Sequence, residues 1–401
     1  MQFLEGTLIR YPWGTYDAIA GILGKEPDGQ PLAELWLGAH PSAPARLGDT
    51  TLDAALAADP SALGEASQAA FGPQLPFLMK ILSARHALSL QAHPSRDEAE
   101  RGFAAEEAAG IARDDPHRTY RDDWPKPEIL VALEPFHTLF GFRSPLLTWH
   151  LFHQLGVGAD TLRLLGPLNA RGGEAALQEV FLDVLTIEGD RMGIVTDVLA
   201  CAREHARDEG PVGDLARTAV ELEAVFGTDR GILAALLMNR LILAPGEAVY
   251  VPAGVMHAHL AGTGIEVMAS SDNVLRGGLT SKHIAVDELV RVVDFAWCTP
   301  EVLHGDETAP GVFDYPTHCD EFDVWRLEAT SGRSLRVPAD GHARIALVTR
   351  GDAHLSSAAG DLTLARGEAA FLGAADADVT LRGDAQVFLS APGLATARPA
   401  S

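Results

Sequence analysis

In the stretch "LSLQAHPSRDEAERG", Leu88 to Gly102, an amide, Gln91, stands two residues before an imidazole, His93, in an apolar run that Pro94 stops at once. In a strand, positions i and i+2 project from one face, so Gln91 and His93 point side by side into one space while Ala92 faces away. Two other places offer groups of matching type: Glu128 in "WPKPEILVAL", held by two prolines, and His257 at the end of the loop "VPAGVMHAHL". Two imidazole nitrogens and a carboxylate oxygen are the usual zinc set, and a catalytic site leaves one position open for water or substrate. Taken singly, each has a bland reading. A lone buried histidine is more often a hydrogen-bonded core residue, and Glu128 alone could be a simple ion-pair partner. The combination points to a metal centre.

The elements that must hold these groups are legible in part. From Glu34 to about Arg143 the sequence mixes short apolar runs, Trp and Pro with one acidic helix, "RDEAERGFAAEEAAGIARDD", and reads as strands and loops carrying a site. Helical spacing then takes over: Leu177, Val180, Phe181, Val184 and Leu185 form one stripe, and Ile194, Val195, Val198, Leu199 and Ala202 another. Residues 148–240 are therefore expected to be a helical insertion without chemistry of its own. Strand signals resume at Leu241, broken by a helix at about 285–296, and after about 313 short β-like runs separated by Gly and Asp turns suggest a sandwich or barrel. An internal repeat links the two β regions. "LILAPGEAVYVPAGVMHAHLAG", from Leu241, aligns without gaps on "LTLARGEAAFLGAADADVTLRG", from Leu362, and both read as strand, Gly turn, strand, loop, strand, the hairpin grammar of a jelly roll. His257 aligns with Asp378 and His259 with Thr380, so only the first copy keeps metal-binding side chains.

Composition limits the partners. A formal net charge of −24 repels polyanions, which argues against nucleic acid and anionic membrane surfaces. The first twenty residues lack a basic start followed by an apolar run, and no segment is long and apolar enough to cross a bilayer, so a cytoplasmic location is expected. Three cysteines, Cys201, Cys298 and Cys319, lie far apart and make no CxxC pair, so any metal needs His and carboxylate ligands. Of 31 basic residues only four are lysine. Lys25 lies in a plain loop, whereas Lys80, Lys126 and Lys282 all fall beside the motifs, where a compact point charge is wanted in place of a planar fork.

The motifs "AELWLGAHPSAPA", "LPFLMKILSARHALSLQAHPS", "YRDDWPKPEILVAL" and "VPAGVMHAHLAGTGIEVMASSDNVLRGGLTSKHIAVDEL" closely resemble the class I mannose-6-phosphate isomerases, zinc enzymes of the cupin superfamily. The resemblance runs from "YPWG" through the "DEL" helix and implies a mainly β fold with an α insertion: two cupin jelly-roll lobes plus an inserted helical domain. The expected division is a zinc-binding lobe from 1–147 and 241–312, the insertion at 148–240 and a metal-free lobe at 313–401. The resemblance implies one zinc ion per chain held by Gln91, His93, Glu128 and His257. It also implies that Arg276, Lys282 and Ser89 serve the sugar phosphate, with Lys80, Lys126, Glu34 and Glu266 lining the pocket. Two positions depart from the family pattern: Pro125 where members commonly have His, and His259 where they commonly have Tyr.

Interconverting mannose 6-phosphate and fructose 6-phosphate moves a proton between C2 and C1 through an enediol, with no redox cofactor. Zinc can supply Lewis acidity, and the proton needs a base of matched pKa that both carbons can reach. Glu266 is the first choice, because alternation after "LAGTG" lets it face the jelly-roll mouth near His257; its plainer role is to hold a Lys or Arg. Arg276, Lys126 and His259 complete the set expected in catalysis. The sequence also leaves open an iron-dependent cupin dioxygenase, which a Gln ligand and a cationic set sized for phosphate disfavour. A non-enzymatic zinc-containing sugar-binding module is disfavoured because closed structural sites have no need of surrounding cations. The expected partner is a small sugar phosphate, and the expected state a monomer.

Overall fold

Strand Phe77–Ala84 is buried at all eight positions. An unbroken buried run of this kind belongs to a strand covered on both faces and flanked on both edges. In the computed structural model, which describes residues 1–395, it lies between Glu34–Gly38 and His257–Ala269, antiparallel to both. The sheet continues through Glu128–Ala132 and Glu247–Val251 to Leu303–His304, and on the other side ends at Thr7–Ile9. Four further strands, Leu90–Ala92, Phe136–Phe142, Met238–Leu243 and Leu275–Gly278, join through the first part of His257–Ala269, so this 13-residue strand is the shared spine of two layers.

A second sheet runs from Asp306–Ala309 through Val312–Tyr315, Asp323–Ala329, Thr380–Ala391, Arg344–Ser357 and Ala369–Leu372, and then takes in Gln2–Glu5, Arg46–Leu47 and Thr50–Thr51 from the start of the chain. All pairings between named strands are antiparallel. The boundary expected at 313 thus falls inside a strand, and part of the expected first lobe is built into the second sheet. Pairing of Gln2–Glu5 with Ala369–Leu372 is fixed by register over a long loop, which local pattern does not record. Ile81, Ile129 and Val267 of the first sheet pack in one apolar core with Ile345, Phe371 and Phe388 of the second.

Helices Pro145–Gln154 to Gly231–Leu236 occupy the expected insertion. The predicted stripes face inward: Leu177, Val180, Phe181, Val184 and Leu185 are buried, as are Val195, Val198, Leu199 and Ala202. Phe181 meets Phe142 of the sheet edge-on at 5.6 Å, and Phe142 stacks on Phe295 at 5.3 Å. Each such buried ring contributes roughly 1.5–3 kcal/mol, enough to seat the helices on the sheet. Short helices Leu52–Ala58 and Glu65–Phe71 lie where only strands and loops were expected. They are about two turns long, too short for periodicity to register. No helix among the described residues is long and apolar enough to cross a membrane.

The repeat is a repeat of structure. Gly246 and Gly367 both turn at φ +87°, with Glu247 and Glu368 each accepting a hydrogen bond from the backbone three residues earlier at 2.8 Å. Gly262 and Gly383 sit at φ +123° and +129°. At the positions aligned with the two histidines, Asp378 is exposed and paired with Arg336 at 2.8 Å, and Thr380 opens a strand.

Candidate metal centre and active site

The spine strand assembles the site by register. His257 lies opposite Gln91, and Glu266 opposite Lys80. Residues directly opposite share a face, so each pair projects together. Arg276, in Leu275–Gly278, lies opposite Gln91 from the other side. His93 follows Leu90–Ala92 directly, and Glu128 opens the strand next to the spine.

His93, Glu128 and His257 are buried, and one ligand atom of each lies within 4.8 Å of the others. Glu128 Oε1 is 3.2 Å from His93 Nε2, and Oε2 is 3.3 Å from His257 Nε2. The other ring nitrogens face backbone carbonyls: His93 Nδ1 that of Asn273 at 2.7 Å, and His257 Nδ1 that of Val255 at 3.1 Å. A carbonyl only accepts, so both Nδ1 atoms carry a proton, and a ring whose one proton sits there turns an Nε2 lone pair toward Glu128. Burial drives His93 down to about 4, so its ring is neutral at ordinary pH, and its Nε2 has no hydrogen-bond partner among the described residues. Burial alone would raise the Glu128 carboxyl, but Lys126, with Nζ at 3.1 Å, and His93 hold it well below the usual range. Two imidazole lone pairs aimed at one carboxylate repel it unless a cation lies between them, and a ligating His usually donates its other N–H to a carbonyl in this way. The Gln91 amide nitrogen stands 3.2 Å from His257 Nε2, and rotation of the amide by 180° turns its oxygen to the same place. The donor set fits a divalent metal with nitrogen and oxygen ligands.

Beside it lies a second buried set. Lys80 Nζ donates to Glu266 Oε2 at 2.9 Å and to Glu34 Oε1 at 3.4 Å, and lies 5.0 Å from the centre of the Trp36 ring. Trp36 Nε1 donates to Glu34 Oε2 at 3.0 Å. Burial pulls Lys80 down, but Glu266 and Glu34 together raise it above the ordinary lysine range. Burial pushes the Glu266 carboxyl up, yet Lys80 and His259 bring it down to about 2. That is far from the matched value expected of a base, and it follows from the Lys80 partnership. His259 Nε2 faces Glu266 Oε1 at 3.4 Å, and its Nδ1 meets Thr138 Oγ1 at 3.2 Å. Glu128, His259 and Glu266 also lie close enough to share a cation, so the two sets are contiguous.

The remaining predicted residues stand further out. Ser89 is half-buried and lies just before the strand that carries Gln91. Arg276 is half-buried opposite Gln91, whereas Lys282 is exposed on the segment after its strand. Pro125 is buried immediately before Lys126. Sequence reasoning missed Asn273, Thr138 and Trp36, which orient His93, His259 and the Lys80–Glu34 pair. The signal for Trp36 was its place two residues from Glu34 in a buried strand; Asn273 and Thr138 carry no local signal.

The family model described as "Phosphomannose isomerase type I, catalytic domain" matches residues 1–145. The mannose-6-phosphate isomerase of Escherichia coli (strain K12) is 35% identical over 392 residues, covering 96% of this chain and 97% of that one. Mannose-6-phosphate isomerase 1 of Arabidopsis thaliana is 30% identical, over 91% and 85%. Among solved structures, a zinc-bound holo mannose 6-phosphate isomerase superposes with a TM-score of 0.87 at 31% identity, over 98% of this chain and 99% of that one. The apo enzyme from Salmonella typhimurium gives 0.87 at 30% identity, over the same shares. Together with a mostly β, cupin-type fold, this end-to-end identity shows that the chain belongs to the type I mannose-6-phosphate isomerases.

Proposed function

We infer that the protein interconverts mannose 6-phosphate and fructose 6-phosphate, with zinc held by Gln91, His93, Glu128 and His257. The observation that carries this is the pair of Nε2 lone pairs converging on Glu128, set beside a buried Lys–Glu–His chain that can move a proton. When bound, zinc supplies Lewis acidity that makes the hydrogen next to the sugar carbonyl removable.

The chain's own residues do the rest. Lys126, anchored on Glu128, and Lys80, anchored on Glu266, present ammonium donors to sugar oxygens beside the metal centre. Three buried carboxylates against two ammoniums leave one net negative charge before any metal is added. Substrate oxygens that draw Lys80 away also release Glu266: with the ammonium gone, burial raises its carboxyl toward the range useful for a base. Glu266 then takes the C2 proton at Oε1 and returns it to C1, while the hydroxyl proton of O2 passes to O1 and His259 Nε2 holds the same Glu266 oxygen. Arg276 and Lys282, with Ser89, receive the phosphate. The spine sheet carries all of the chemistry, the helices at 148–240 buttress it, and the second sheet acts through packing.

The test is turnover of mannose 6-phosphate in a coupled assay. Activity should vanish on chelation and return with one equivalent of zinc, and product formed in D₂O should carry deuterium at C1. Full activity in protein shown metal-free by elemental analysis would end the zinc reading, and product without deuterium would end the proton-transfer role of Glu266.

A further inference from the structure

Most arginines of this chain are matched by carboxylates: Arg118 meets Glu107 at 2.6 Å, Arg240 meets Glu221 at 2.8 Å and Arg350 meets Glu328 at 2.8 Å. Arg121, Arg276 and Lys282 are among the cations that are not, and these three act on one another. Among the described residues none of the three makes an ion pair with a carboxylate, although acidic residues outnumber basic ones 55 to 31.

One side chain holds two of them in register. Asn273 is fully buried. Its Oδ1 accepts from the backbone N–H of Arg121 at 2.8 Å, and its Nδ2 donates to the carbonyls of Asp122 at 2.8 Å and Trp124 at 2.9 Å. Its own carbonyl accepts from the metal-site residue His93, and three residues later Arg276 leaves the strand opposite Gln91. The segment that leads into Arg121 also lines a small cavity with Arg276 and His283. The Arg121 guanidinium is exposed and tethered at one nitrogen, Nη1, by the carbonyl of Arg113 at 3.3 Å. The cations feel one another: burial and then Arg121 push Arg276 down, and Arg276, burial and Arg121 push Lys282 down. Like charges gathered without a counter-anion cost free energy. An anion arriving there gains from all of them.

We propose that Arg121 is a third phosphate-binding residue, which acts with Arg276 and Lys282 on the substrate phosphate. This rests on the sugar-phosphate reading above. A planar fork tethered only at Nη1 leaves Nε and Nη2 free to donate two parallel bonds to phosphate oxygens, so Arg121 selects a dianionic phosphate over a neutral sugar.

The experiment uses the zinc-loaded full chain and Arg121→Gln, Arg121→Lys and Arg276→Gln, with inorganic phosphate as a competitive probe and unphosphorylated mannose as the neutral ligand. Arg121→Gln should raise KM for mannose 6-phosphate and the inhibition constant of phosphate together, about tenfold to a hundredfold, leaving kcat, zinc content and mannose affinity within about twofold. Arg121→Lys should recover part of the loss. If Arg276→Gln weakens phosphate and Arg121→Gln does not, Arg121 has no such role and the sugar-phosphate reading stands. A fall in kcat or zinc content in Arg121→Gln would instead make Arg121 a support of the Asn273 network and overturn the proposal. If neither variant responds to phosphate, the placing of the phosphate at this rim fails as a whole.

Discussion

A charged side chain taken out of water is tolerated only with a partner, and removing one partner of a buried pair leaves the other uncompensated, at about 3–5 kcal/mol. Lys80 and Glu266 are such a pair. Lys80→Met should lower unfolding free energy in urea by about that amount, and adding Glu266→Gln should recover much of it; equal losses in the single and double variants would mean the two do not interact. The pH dependence has a definite sign. In the intact protein the Glu266 carboxyl is held at about 2, below its ordinary 4.5, so the pair's contribution is complete above 4.5 and drains away as pH falls toward 2. In Lys80→Met, burial alone raises the carboxyl, and over the same window acid should stabilise. At this scale the sequence was readable wherever chemistry followed from spacing: Gln91 and His93 at i and i+2, Glu128 directly after its two prolines, the scarce lysines. Asn273 and Thr138 were not, because their partners are set by strand register and not by neighbours in the chain.

The spine strand His257–Ala269 changes partners midway, at Gly262. A Cβ there would stand 2.8 Å from the Phe136 backbone, in a left-handed region at φ +123°. In the second copy Gly383 faces the same problem, with the Asp352 carbonyl oxygen 2.2 Å from a Cβ. Gly262→Ala and Gly383→Ala should each cost about 2–4 kcal/mol in urea unfolding. Only Gly262→Ala should also lower zinc content, since it shifts His257 and His259 against Glu266 and Glu128. Loss of metal in Gly383→Ala would show that the second sheet shapes the site after all. The copies were visible in sequence because both glycines and the Gly-Glu-Ala turn are local requirements. The pairing of Gln2–Glu5 with Ala369–Leu372 is not local, and the helices at 52–58 and 65–71 lacked enough turns to show a face.

Across the whole molecule, a net charge of −24 sets a repulsive background for a phosphorylated sugar, and the structure meets it with Arg121, Arg276 and Lys282, which act on one another and have no carboxylate partner among the described residues. The same distribution sorts the four lysines. Lys80 and Lys126 are buried, Lys25 is exposed on a plain loop, and Lys282 is exposed with its ammonium pushed below the ordinary range by Arg276. An amine-reactive acylating reagent at mildly alkaline pH attacks the neutral amine, so among side chains Lys282 should be labelled ahead of Lys25, and inorganic phosphate should slow labelling at Lys282 alone. Peptide mass spectrometry after a short exposure decides it; faster reaction at Lys25 would mean that the rim cations do not act on Lys282. The scarcity of lysine thus gives this chain a single addressable amine at the mouth of its pocket, where a dye or cross-linker would report the arrival of substrate.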